Sequence, residues 1–426
     1  MSIFFASSRG YNMIYYLKKI KKSNLVIAVI MTTVYFLNVM FTTFKEDDGT
    51  AIKNGEDKKF AGSATCVACH KEIYESHIKT AHYLDSRPAS KEFIKGSFKK
   101  GENKFVYNKW MEVVLQEKEN KYFQTAYISG AEYQSEAFDI VIGSGRKGQT
   151  YLYWNNNSLF QLPVSYYTPL NNWCNSPGYS TSFINFNRII PAQCLECHST
   201  FAKVTEEDNT LPVYDKTNII YGIDCERCHG AAADHVAYQS AHPEEKTAKY
   251  IISTKLLNRQ QRLDACALCH SGSREPLKPA FSFNVGETLN DYSNAKYSSD
   301  SISTLDVHGN QYGLLASSKC FQMSQMDCSS CHNVHVNEAN NAALFSQRCT
   351  TCHTQVNHTS FSFTEDKKEV LQNNCIDCHM PMLPSKKIVL DVANSDKVVP
   401  DVVRTHRIAI YPEYTKKVLE KFKTKN

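Results

Sequence analysis

The chain has 426 residues, of which 42% are hydrophobic and 21% charged, with a formal net charge of +5. That length holds two or three ordinary domains, and no basic, aromatic-interleaved strip supports a nucleic-acid partner. Sixteen cysteines and fifteen histidines are the feature that calls for a chemical explanation.

In chain order, residues 1–24 are basic and carry Lys18, Lys19, Lys21 and Lys22. Met13 is an alternative start, because the residues before it contribute nothing to the reading. Residues 25–44, "LVIAVIMTTVYFLNVMFTTF", hold no charge and are long enough to cross a bilayer. Lysines before this run and acidic residues after it predict a transmembrane anchor with a cytoplasmic N-terminus. A cleaved signal peptide, leaving a soluble periplasmic protein, is the competing reading, but no A-x-A-like site closes the run. Either way the bulk of the chain lies outside the cytoplasmic membrane. Residues 45–62 are charged and read as a linker.

Residues 63–100 open with CVACH, that is Cys66, Cys69 and His70. Residues 101–190 contain no such motif and show apolar alternation broken by turn residues, which predicts an antiparallel β module. Inside it "GSGRKGQ", Gly143 to Gln149, lacks the spacing of a phosphate loop and reads as a hairpin turn. Residues 191–426 carry six further motifs. They are Cys194, Cys197, His198; Cys225, Cys228, His229; Cys266, Cys269, His270; Cys328, Cys331, His332; Cys349, Cys352, His353; and Cys375, Cys378, His379.

Chance predicts about 0.02 C-x-x-C-H motifs in a chain of this composition. In this motif the two thiols bond covalently to haem and the adjacent His ligates its iron. A zinc array would not require a His after every second Cys. The pattern therefore predicts seven covalently bound haem c groups. Two cysteines remain, Cys174 and Cys320, which in an oxidising compartment either pair or stay as separate buried thiols.

Seven proximal ligands leave His77, His82, His235, His242, His308, His335, His358 and His406. Eight candidates for seven open iron faces imply mostly bis-His haems, with one His surplus. His335 follows His332 too closely to wrap around the same porphyrin, so it is expected to reach a neighbouring haem. The same argument covers His235 and His229. Distal ligation is expected of His82, His235, His335, His358 and His406, and also of His242 and His308. Met380 and Met382 in "CHMPM" are read as packing residues. With seven haems the net charge moves to about −2 oxidised and about −9 reduced.

"CVACHKEIYESHIKTAH" resembles the front of bacterial multihaem cytochromes c. These are relatives of the tetrahaem cytochrome that accepts electrons from hydroxylamine oxidoreductase, and of larger multihaem proteins. The resemblance implies His82 as a distal ligand and places His77 where those proteins carry Trp, which makes it the candidate surplus His. "IGSGRKGQTYLYWNNNSLFQLPVSYY" and "SPGY" resemble the haem-free module. "CSSCHNVH" resembles the C-x-x-C-H-x-x-H element, and "CIDCHMP" followed by "THRI" implies His406 as a distal ligand.

The expected fold is a mainly α and loop multihaem cytochrome organised by haem packing, with an inserted antiparallel β module that makes it α+β overall, and one N-terminal transmembrane helix. The expected function is a membrane-anchored periplasmic electron relay between a quinol-linked donor and a soluble or surface acceptor. The alternative is an oxidoreductase of a small nitrogen or sulfur compound at one five-coordinate haem. A third reading makes the β module a docking surface for a larger respiratory complex.

Overall fold

The computed structural model describes residues 59–207, 211–295, 305–356, 358, 371, 373–393 and 398–423. All of them belong to one compact unit. The alternating segment after residue 103 forms a four-stranded antiparallel meander, Lys104–Asn108, Met111–Lys118, Lys121–Ile128 and Ala131–Ala137. Glu119 and Asn120 both take positive φ, and so do Ser129 and Gly130. Two-residue turns of that hand match the twist of the strands they join.

Beside the meander lies a seven-stranded antiparallel sheet. Its main path is Ser86–Pro88, Ile140–Ile142, Gly148–Asn155, Ser158–Gln161 and Arg188–Ile189, with Val164–Tyr167 and Asn172–Asn175 attached along Gly148–Asn155. Residues 143–147 make the turn between Ile140–Ile142 and Gly148–Asn155, as the hairpin reading of that segment requires. The period of two then assigns each strand residue to a face. Val141, Tyr151 and Tyr153 pack toward the meander with Trp173 and Phe138. Ile140, Leu152 and Leu159 pack on the other face, against Leu195 of the helix Ala192–His198 and against Phe281. Gln124, fully buried, donates to the Val164 carbonyl at 2.6 Å and accepts from the Val164 N–H at 2.9 Å. Its amide bridges meander and sheet as a strand backbone would.

The expectation of a mainly α and loop fold is overturned. The chain is α+β, and among the described residues more lie in strands than in helices. Hairpins continue beyond residue 191, as Ser199–Glu207 with Pro212–Tyr221, Arg274–Pro276 with Ser293–Ala295, and Met382–Asp391 with Val398–Arg404. Attachment motifs constrain only the few residues around each haem. The chain between motifs must satisfy its own buried N–H and C=O groups, and runs such as "KKIVLDVA" do so by pairing. The transmembrane helix expected at 25–44 lies outside the described residues. Among the described residues no helix is long and apolar enough to cross a membrane.

Candidate functional site

Five of the motifs lie on short helices, Val67–His77, Ala192–His198, Cys225–His229, Arg259–His270 and Cys375–His379. In four of them the motif His is the last helical residue, and in the first the helix kinks at His70. Positions i, i+3 and i+4 share one helix face, so a single turn turns both thiols and the imidazole to the same side. Side-chain caps begin several of these turns. Asp224 accepts from the Cys225 N–H at 2.7 Å, and Asn258 and Asp327 each form a reciprocal capping box, with Gln261 and Ser330.

The motifs pack against one another rather than standing apart. The thiols of Cys66 and Cys225, Cys197 and Cys269, Cys266 and Cys328, and Cys349 and Cys375 are in hydrogen-bonding contact. Each contact joins two different motifs. Among the described residues no group of three or more His, Cys, Asp or Glu side chains converges as a metal-ion site. Cys174 is buried in the strand Asn172–Asn175 with its Sγ toward the Ser165 carbonyl, and Cys320 lies on the helix Lys319–Gln322. Both are free thiols, so the pairing left open by the sequence is not formed.

Four contacts pair a motif histidine with one outside the motifs, and His335 also has the ring of His77 at 6.0 Å. His82 faces His270 with ring centroids 6.0 Å apart, His229 faces His335 at 6.2 Å, His332 faces His406 at 6.2 Å, and His358 faces His379 at 6.4 Å. Two imidazoles bound to one iron, each at about 2 Å, would hold their centroids about 6.3 Å apart. The four pairs therefore fit a bis-His haem, and each joins a motif His to a His outside the motifs. His335 lies across from His229 and not from its neighbour His332.

Burial pushes His82 and His406 down to about 4, with His270 and His332 respectively adding to the effect. Both are thus neutral near pH 7, the form that ligates metal. Among the described residues the buried Nδ1 atom of His406 has no hydrogen-bond partner. In seven other histidines Nδ1 lies against an acceptor, which leaves the Nε2 lone pair for iron. The acceptors are the carbonyls of Ile252 for His229 (2.9 Å), Lys249 for His235 (2.8 Å), Tyr238 for His242 (2.9 Å) and Ala409 for His379 (3.0 Å). His270 uses the Gln311 side chain at 3.3 Å. His198 and His308 instead meet carboxylates, Asp85 at 2.8 Å and Asp401 at 3.3 Å.

Among the described residues His70, His198 and His353 have no facing imidazole, and His235, His242 and His308 are not brought opposite a motif His. His77, expected to be surplus, has both ring nitrogens near backbone carbonyls, Val334 at 3.3 Å and Ile223 at 3.1 Å. It ties the loop after His332 to the residues before Cys225. Met382 is exposed on a strand, and Met380 passes its carbonyl to Arg404.

The sequence reading missed the residues that brace the motifs. Glu226, inside its own C-x-x-C, accepts the N–H groups of Ala61, Gly62 and Ala232 at 2.8 to 2.9 Å. Arg404, two residues before His406, donates to the Ile376 and Met380 carbonyls and to Asp377. Arg348 binds Glu338 and the Cys331 carbonyl. The available signal was charge out of place, an acid between two attachment cysteines and Asp401 inside the apolar run "VVPDVV".

A family model described as "Cytochrome c554 and c-prime" matches residues 182–230, the span holding the motifs that end at His198 and His229. No curated protein matches the chain. Among solved structures, the outer cell wall cytochrome OcwA is similar at 13% identity over 84% of this chain and 81% of that one, with a TM-score of 0.49. The family match and the repeated motifs support a multihaem c-type cytochrome with covalently bound haem c, an electron carrier that exchanges electrons with partner proteins.

Proposed function

We propose that the chain is a heptahaem c-type cytochrome, located outside the cytoplasm, that relays electrons from a quinol-linked donor to a soluble or surface acceptor. The observation that carries this reading is the set of four histidine pairs at 6.0 to 6.4 Å, each with one ring from an attachment motif. When bound, haem supplies reversible one-electron chemistry at iron, and two imidazoles leave that iron no free position. The protein's own part is to set ligation and spacing. Motif-to-motif thiol contacts bring neighbouring sites close together, the arrangement that electron hopping needs. Extracytoplasmic location follows from where c-type haem is attached.

A second reading, an oxidoreductase of a small nitrogen or sulfur compound, draws on His70, His198 and His353. Each lacks a facing imidazole among the described residues, and one such iron left five-coordinate would bind substrate. The test is the haem-to-protein ratio with EPR and visible spectra of the ferric protein, repeated with cyanide and, after reduction, with nitric oxide. Seven low-spin haems inert to both ligands support the relay. A high-spin signal from one haem, lost on ligand binding, selects the enzyme.

A further inference from the structure

Two histidines differ from the rest in what stands behind them. Among the described residues, only His198 and His308 hydrogen-bond to a carboxylate through Nδ1, and the five-residue turn Gly143 to Lys147 touches both aspartates, the backbone of Asp85 at one end and the carboxylate of Asp401 at the other. The Asp85 carboxylate meets His198 Nδ1 at 2.8 Å. The backbone carbonyl of Asp85 accepts the Gly143 N–H at 2.5 Å, and the next residues, Ser86–Pro88, pair with Ile140–Ile142. Gly143 has φ +100°, and a Cβ there would lie 2.7 Å from the Gly148 carbonyl oxygen. Only glycine lets the turn deliver that N–H.

At the other end of the turn, Lys147 Nζ lies 3.3 Å from Asp401 Oδ1, which also accepts from the Tyr167 hydroxyl at 3.0 Å. Asp401 Oδ2 faces His308 Nδ1 at 3.3 Å, and the Asp401 side chain is only 5% exposed. One loop of the module without haem motifs thus fixes the backbone of Asp85 and contacts the carboxylate of Asp401.

We propose that this turn is a potential-setting device, which holds Asp85 and Asp401 behind the imidazoles of His198 and His308 and makes their two haems the low-potential members of the relay. The inference rests on the proposal that His198, as a motif His, and His308, as a distal one, ligate haem, both of them outside the four facing pairs. An anion on Nδ1–H strengthens donation from Nε2 and favours the oxidised iron, which carries one more positive charge than the reduced one. Little water reaches Asp401 to screen it. Lys147 shares the Asp401 charge and so moderates its effect. Asp85 and Asp401 are positioning residues, acting through the histidines.

The experiment is a spectroelectrochemical titration of the full holoprotein carrying D85N, D401N or K147M, with the exposed E132Q as a control for charge at a distance. One component should move positive in D85N and a different one in D401N. K147M should move the D401N-sensitive component in the negative direction, an opposite sign that a purely structural role does not produce. K147M alters a half-exposed side chain, so the test stands even where an aspartate variant fails to assemble. Titrations superimposing on wild type, or equal small shifts of every haem as in E132Q, overturn the proposal. His198→Ala and His308→Ala separate the two levels. Lost low-spin signal in these with unmoved potentials in D85N and D401N refutes the tuning alone. Unchanged spectra in both refute the ligation beneath it.

Discussion

At the scale of single residues, His335 is the most informative side chain. Three residues after His332, it cannot reach the far side of a haem held by its own motif, and in the structure its ring lies opposite His229 at 6.2 Å with 14° between planes. The spacing argument needed no fold, only the size of a porphyrin. It could not name the recipient, which depends on how the loop after Cys331 folds back on the segment before Cys225, with His77 as the tie. His335→Ala is expected to convert one haem to high spin without lowering haem content, as read by EPR and by the haem-to-protein ratio. In a background lacking the thiols Cys225 and Cys228, the same substitution should add no high-spin signal. If it still does, His335 serves a different iron.

At the scale of elements, the motif turns and the hairpins answer to different physics. The turns are legible because C-x-x-C-H is itself a helical repeat, and their caps, such as Asp224 and Asp327, stand directly before the first cysteine. The hairpins after residue 191 were hidden because attention to haem contacts left no role for the intervening chain, although "TFAKVTEE" and "VVPDVVR" carry alternation and β-branched residues. Glu226 shows how one motif holds others. Its carboxylate gathers three N–H groups, from the segment leading into Cys66 and from the start of the helix Ala233–Ala241 that carries His235. Glu226→Gln exchanges charge-assisted bonds for weaker ones and is expected to cost roughly 1–3 kcal/mol in chemical denaturation. Faster hydrogen exchange at Ala61 and Gly62 would localise the loss, and unchanged exchange there would refute the clamp. Leu152, 1% exposed between the sheet and Leu195, supports the helix Ala192–His198 from below. Leu152→Ala should destabilise the holoprotein by about 2–5 kcal/mol; a change under 1 kcal/mol would mean that the site collapses without cost.

At the scale of the whole molecule, charge and connectivity decide what the protein can do. The polypeptide alone has a sequence pI of about 8.3. Seven haems with two propionates each would bring the oxidised protein to about −2 and the reduced protein to about −9. Isoelectric focusing should therefore place the holoprotein well below the polypeptide value, and lower still after reduction; a focusing point near that of the bare chain would contradict the haem count. The thiol contacts link the first motif to the third, the second to the fourth, the fourth to the fifth and the sixth to the seventh. No spacing along the chain announces these neighbours, since motifs adjacent in space are up to 159 positions apart, as Cys66 and Cys225 are. The amino-acid sequence alone determined the cofactor chemistry, because covalent attachment needs only a local turn carrying two thiols and an imidazole. It also set His335 apart from the face of its own motif and marked the central segment as strands, because these depend on distance along the chain and on a period of two. Tertiary structure alone decided which imidazoles face each other and which motifs touch. It also decided that Asp85 and Asp401 stand behind the rings of His198 and His308, because those relations arise from long-range pairing and shared burial that no local pattern encodes.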